Sequence, residues 1–291
     1  MTALRALPLP DTSPEAKPRG AARMQRVDGQ AMVRFGPHGV RDLRQVAPAR
    51  LLFPDGRDGD FPLAVTVTTT GGLTGGDRLA LDIVVDPGAA ATIVPQAAEK
   101  LYRALPDDPP TRIETRVTIG AGGRCEWLAQ EAILFDRSRM RRSLEIDLAA
   151  DARILAMEML VLGRGAMGET YREGLIHDTW RVRRDGRLVW VDALHVAGDV
   201  AATAAAPFGF GGASALVTLV HAGPAAPAHL DLARGLCASP GSGATAFDGL
   251  LILRMTGPDP RVVRDWALNA AGALRAAIFG ISPRLPSLCY C

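Results

Sequence analysis

The feature that most constrains this chain is a succession of short apolar alternations, each cut off by glycine, proline or aspartate. Side chains of an extended strand point alternately to two faces, so apolar residues two apart mark a strand with one buried face. Residues 63–70 form a Val- and Thr-rich run of this kind. Leu79, Leu81, Ile83 and Val85 alternate with Ala80, Asp82 and Val84 and run into the turn Asp86-Pro87-Gly88. Residues 113–119 alternate and stop at Gly120, Gly122 and Gly123, and Leu144, Ile146 and Leu148 alternate with Glu145 and Asp147. Asp185-Gly186 predicts a tight hairpin between a strand holding Trp180 and Val182 and another over residues 188–194. The expected fold is mainly β, in many short strands whose spacing leaves a sheet sandwich or a β-solenoid open.

Two stretches read as helices against this background. Residues 96–105 place Ala97, Leu101 and Leu105 on one face, between Pro95 and Pro106, with Glu99 and Arg103 able to pair on the other. Near the C-terminus, Asp259 is placed to cap a helix, Pro260 suits its first position and Gly280 its end. Val263, Trp266, Ala270, Leu274, Ala277 and Ile278 form its apolar stripe. A shorter helix over residues 230–236 and a strand over residues 250–255 complete an α+β end. Residues 1–22, with Pro8, Pro10, Pro14 and Pro18, are expected to form a flexible tail, and residues 23–291 one β-rich domain.

Composition excludes several functions. Lys plus Arg is 33 and Asp plus Glu is 31, which gives no excess charge to recruit nucleic acid or an acidic membrane. Aromatic residues make up only 5%, too few for base-stacking platforms. No stretch approaches the roughly 20 apolar residues of a membrane span, and the start does not read as a secretory leader. Cys125, Cys237, Cys289 and Cys291 form no C-x-x-C pair, which fits a reduced, cytoplasmic protein.

The segment Thr70-Gly71-Gly72-Leu73-Thr74-Gly75-Gly76-Asp77 invites two readings. Glycines let backbone amides approach an anion, which would make the chain a phosphate- or nucleotide-binding enzyme. However, no Gly-Lys-Ser or Gly-Lys-Thr follows and the next run is a strand, so a tight turn with glycines at positive φ fits the context better. Gly209-Phe210-Gly211-Gly212 lacks the last glycine of a dinucleotide fingerprint. His38, His177, His195, His221 and His229 make no H-x-H or H-E-x-x-H pattern and read as surface or satisfied core histidines. Cys289 and Cys291 flank Tyr290 and form either a soft-metal pair or a frayed tail. Spacing alone nominates no catalytic centre. Asp77, Glu126, Glu131, Glu158, Glu169 and Asp192 lie in or beside apolar runs. A carboxylate there has to be solvated, paired or lining a wet cavity.

Four motifs in order carry a resemblance. The first is Gly71-Gly72-Leu73-Thr74-Gly75-Gly76-Asp77, followed by Ala98-Glu99-Lys100-Leu101-Tyr102-Arg103. The third is Glu126-Trp127-Leu128-Ala129-Gln130-Glu131 with Leu134-Phe135-Asp136, and the fourth is Leu162-Gly163-Arg164 with Gly168-Glu169. Together they resemble the urease accessory proteins of the UreD (UreH) family. The match is good over residues 63–196 and loose beyond. Where many relatives end in proline-arginine-x-tryptophan, this chain has Pro283-Arg284-Leu285-Pro286 and then Ser287-Leu288-Cys289-Tyr290-Cys291. The resemblance implies a helically wound β structure without enzymatic activity or a tightly bound cofactor. It also implies binding to apo-urease and to UreF-type and UreG-type partners, GTP being bound by the latter, and transient contact with nickel(II) on its way to urease. Placed residue by residue, it makes Asp77, Glu158 and Asp192 the residues expected along a polar nickel path.

Overall fold

A computed structural model describes residues 26–290, so the tail expected over residues 1–22 and Cys291 lie outside the described residues. The described chain is mainly β. An antiparallel start, β1 (Asp28–Gly36), β2 (Gly39–Val46) and β3 (Ala49–Leu52), leads into a helical winding. The chain then steps between two sheets through β4 (Leu63–Thr68), β5 (Arg78–Val85), β6 (Ala90–Pro95), β7 (Glu99–Leu101) and β8 (Thr111–Ile119). It continues through β9 (Arg124–Leu134), β10 (Arg139–Leu148), β11 (Arg153–Leu162) and β12 (Glu173–Arg184). β5, β8, β10 and β12 run parallel in the first sheet, and β4, β6, β9 and β11 run parallel in the second.

Antiparallel strands close the winding. β13 (Arg187–Asp199) pairs with β12 through the expected Asp185-Gly186 turn, whose two residues have φ of 47° and 74°. β14 (Ala215–Ala222), β15 (Ser242–Phe247) and β16 (Leu250–Gly257) extend the second sheet. The first sheet runs β13-β12-β10-β8-β5-β1-β2 and the second β15-β16-β14-β11-β9-β6-β4-β3, with β7 pairing β9. Helical winding is thus the solution the chain adopts. Each parallel step needs a crossover, and here the crossover is a strand in the other sheet rather than a helix.

α1 (Val200–Ala205), which no sequence signal announced, starts on Asp199, whose carboxylate accepts from the Ala202 amide at 2.8 Å. α2 (Leu230–Leu236) and α3 (Pro260–Phe279) fall where the sequence places them. Asp259 accepts the Arg261 amide at 2.8 Å, and Gly280 ends α3 in the left-handed conformation. Val263, Ala267, Ala270 and Leu274 of α3 pack with Leu155, Met157, Leu219 and Leu253 on the outer face of the second sheet.

Two expectations are corrected. Residues 96–105 are not helical: they hold the short strand β7 and extended chain. Leu73 donates its amide to Lys100 O at 2.8 Å and accepts the Tyr102 amide at 2.7 Å, so pairing with the glycine-rich segment replaces the helical bonds. Glu99 and Arg103 are therefore not one helical turn apart. The C-terminal segment is also not frayed as far as residue 290. Ser287–Tyr290 form a 3-10 turn with Cys289 buried, and Gln130 Nε2 donates to Leu288 O at 3.0 Å.

His221 is a core histidine. It is 1% exposed, and its Nδ1 lies 2.9 Å from Ile154 O, to which Nδ1–H donates. Burial, against the help of that bond, lowers its pKa from 6.5 to about 4. The unfolded chain therefore binds the extra proton first, and the stability His221 contributes is complete above pH 6.5 and lost as pH falls towards 4. The expected loss is on the order of 3 kcal/mol. Urea midpoints at about pH 7.5 and 4.5 should converge in a His221→Gln variant; equal pH sensitivity in both chains would contradict this.

Candidate functional site

A transverse polar layer interrupts the interior between the two sheets. On β11, Ile154 and Ala156 belong to one interior apolar cluster and Leu160 and Leu162 to another, with Glu158 between them. On β10, Leu144 and Met140 flank Arg142 in the same way, and on β12 Trp180 and Ile176 flank Asp178. Each of these three charged residues thus occupies an inward position on a strand that is otherwise apolar inward.

A bulge in β9 shapes the wall opposite Glu158. The register with β11 runs Met157↔Leu128 and then Met159↔Glu131, so Ala129 and Gln130 both face Glu158. The extra residue reverses the alternation: Trp127 and Ala129 point inward before it, Ala132 and Leu134 after it. A cavity of about 390 Å³ opens here, lined by Glu158, Arg142, Trp127, Gln130, Glu99 and Thr115, with Gly71, Gly72 and Lys100 also on its wall.

Glu158 is the least satisfied group in this layer. It is 4% exposed; Trp127 Nε1–H donates to Oε1 at 3.4 Å, while Oε2 makes no hydrogen bond. Arg142 Nη2 stands 3.4 Å from that oxygen, but the guanidinium is held by Asp178, at 2.9 Å through Nε and 2.6 Å through Nη2. Burial raises the Glu158 pKa by more than Arg142 lowers it, so the proton is held unusually tightly. Glu99, accepting Thr68 Oγ1–H at 3.2 Å, is pushed up to about 7, chiefly by burial. The cavity therefore carries two carboxyl groups that exchange protons near neutrality.

The layer reaches solvent on the far side. Glu158 pairs in register with Thr218 on β14, and Thr218 with Arg254 on β16. Arg254 Nη2 bonds Asp192 Oδ2 of β13 at 2.5 Å across the gap between sheets, with the two side chains 49% and 34% exposed. Oxygen and charged groups thus run from that exposed edge inward to the cavity. Among the described residues, no group of three or more His, Cys, Asp or Glu is placed to hold a metal ion.

The four sequence motifs converge beside the cavity. Tyr102 O–H donates to Gly71 O at 2.8 Å, and its ring meets Phe135 edge-on at 4.9 Å. The Arg164 guanidinium lies 4.0 Å from the centre of the Phe135 ring and bonds Glu169 at 2.5 Å. Gly163 has φ of 84°, and a Cβ there would stand 2.5 Å from Glu169 O. The third motif also fastens the C-terminal elements: Glu126 bonds Arg275 at 2.9 Å, Glu131 bonds Arg264 at 3.0 Å, and Gln130 donates to Leu288 O at 3.0 Å.

A profile described as UreD urease accessory protein matches residues 27–289. The chain belongs to the UreD family. A relative named urease accessory protein UreD from Rhizobium leguminosarum bv. viciae is 39% identical over 88% of this chain and 94% of its own length. One named UreD 3, from Methylorubrum extorquens (strain PA1), is 40% identical over 90% of this chain and 92% of its own. Another, from Methylobacterium sp. (strain 4-46), is 41% identical over 87% and 93%. Among the described residues, no helix is long and apolar enough to cross a membrane.

Of the three path residues the UreD resemblance nominated, the structure brings Glu158 and Asp192 into one polar layer and sets Asp77 elsewhere. Asp77 is 3% exposed, and its carboxylate accepts the amides of Thr74 at 2.8 Å and Val27 at 2.9 Å. It closes the glycine-rich turn, where Gly72 and Gly76 have φ of 140° and 85°. With the Leu73 amide bonded to Lys100 O and that of Thr74 to Asp77, this turn does not offer the open amide nest a phosphate needs. Lys100 and Arg103 are exposed. Sequence reasoning missed Glu99, Arg142, Asp178 and Arg254. An Arg inside the Met140–Leu144 alternation was the available signal for Arg142, whereas Glu99 was hidden by the helical reading of its segment.

Proposed function

We propose that this UreD protein is a non-catalytic scaffold of urease maturation, which passes nickel(II) through the polar layer between its sheets while bound to apo-urease. The observation that carries the reading is Glu158: a buried carboxylate with an unbonded oxygen on the wall of a cavity, in line with groups that reach the surface at Asp192. Carboxylate and water ligands suit a metal that has to leave again, whereas a closed thiolate or imidazole set would retain it. Metal binding at Glu158 or Glu99 displaces a proton, so loading of the path releases protons and strengthens as pH rises through neutrality. UreF-type and UreG-type proteins are the remaining partners, with GTP handled by the UreG-type protein. The chain works in the cytoplasm and holds no permanent cofactor.

Co-expression of urease and the other accessory proteins with and without this chain tests the proposal. Nickel-dependent urease activity is expected only when the chain is present, together with its capture on apo-urease and on the UreF-type partner. Full activity in its absence would refute the scaffold role.

A further inference from the structure

On the outer face of the first sheet, β12 and β13 bring His177 and His195 directly opposite each other. Their Nδ1 atoms are 3.2 Å apart, with the rings inclined at 73°. Two imidazole nitrogens bound to one zinc-sized ion at about 2.0–2.1 Å, and subtending roughly 100°, are separated by about that distance. We infer that His177 and His195 form a surface site for a first-row divalent cation, with imidazole nitrogen as its two protein ligands and water completing the shell.

Two features support the site. Both histidines sit on strands fixed by ladder bonds, β12 being paired on each side, so the two rings are positioned before any metal arrives. Neither ring has a carboxylate partner among the described ion pairs, and their one mutual contact, an Nδ1–H donating to the other Nδ1, is replaced rather than opposed by a shared ion. Arg141, in register with His177 on β10, repels a cation and holds the affinity down, and His195 is exposed. The metal bound here therefore exchanges readily with solvent. This site is separate from the Glu158 layer: Asp178, the next residue on β12, points inward to Arg142.

Isothermal titration of the full chain with NiCl₂ and with ZnCl₂ tests the inference. The parent chain and Glu158→Gln are expected to share one binding event that weakens roughly tenfold or more in His177→Gln and in His195→Gln. Arg141→Gln should tighten it. Diethylpyrocarbonate labelling of the parent chain gives a second reading: nickel should slow modification of His177 and His195 together. Binding that is unchanged in both histidine variants, or labelling that nickel leaves unaltered, would overturn the site. Loss of binding in Glu158→Gln alone would also overturn it, placing the metal in the cavity; normal nickel delivery to urease by Glu158→Gln would count against the proposed path without touching this inference.

Discussion

Arg275→Ala is expected to destabilise the protein by about 3–5 kcal/mol, the usual result of removing one partner from a buried charge cluster. Arg275 is fully buried on α3. Its Nε bonds Glu126 Oε1 at 2.9 Å, its Nη2 lies 3.1 Å from Asp60, and its Nη1 donates to Ser282 O at 2.9 Å and Arg284 O at 2.8 Å. One guanidinium thus ties α3 to the second sheet, to the loop before β4 and to the C-terminal segment. Without it, Glu126 stays at zero exposure with only Thr92 Oγ1–H, at 2.5 Å, to satisfy it. Burial already raises the Glu126 pKa against the pull of Arg275, so the bare carboxylate would protonate or draw water inward. Since whole domains are stable by only about 5–15 kcal/mol, such a loss populates unfolded chain. Urea denaturation of Arg275→Ala measures it, and the double variant Arg275→Met with Glu126→Gln should recover much of the deficit. A loss under about 1 kcal/mol in the single variant would show that the cluster does not hold these elements together.

Glu158→Gln is expected to act on function and leave the fold intact. Glutamine keeps the shape of the side chain and an oxygen for the Trp127 indole, and Arg142 keeps both bonds to Asp178. Replacing an under-bonded buried carboxylate by a neutral amide removes a desolvation cost, so stability should hold or rise slightly. What disappears is the negative charge at the cavity wall. In the assembled complex, nickel per urease should fall roughly tenfold or more, as when a ligand environment is disrupted, while capture of apo-urease and the UreF-type partner is unchanged. Metal analysis of purified urease decides the matter. Unchanged nickel content would remove Glu158 from any path, and loss of partner capture would make it a structural residue.

Much of the architecture was legible because its signals are local. The caps of α3 are set by Asp259, Pro260 and Gly280 within their own turns, and the Asp185-Gly186 hairpin needs two residues at positive φ that its sequence supplies. The alternation in β5, β8 and β10 records which face each strand buries. Residues 96–105 show where locality stops. Their spacing suits one face of a helix, yet Leu73, distant in the chain, takes up the backbone bonds of Lys100 and Tyr102. With that pairing, Glu99 turns from a helix-surface residue into part of the cavity wall.

The sequence by itself determined the β-rich class, the terminal helix, the hairpin turn and the family. Only the tertiary structure decided which polar residues meet. Asp77 stands at the end of the family's glycine-rich motif, but the winding turns its carboxylate onto the Thr74 and Val27 amides. Glu158 and Asp192 share a layer because strands far apart in sequence stack in register. The histidines make the same point by one residue: β12 and β13 leave their turn pairing Arg184 with Arg187, which would set His177 against Leu194, and the shift between Val182 and Arg183 moves it to His195. Turn chemistry and periodicity act over a few residues, whereas a bulge is set by the packing of the whole sheet, and a displacement of one residue changes which side chains stand face to face.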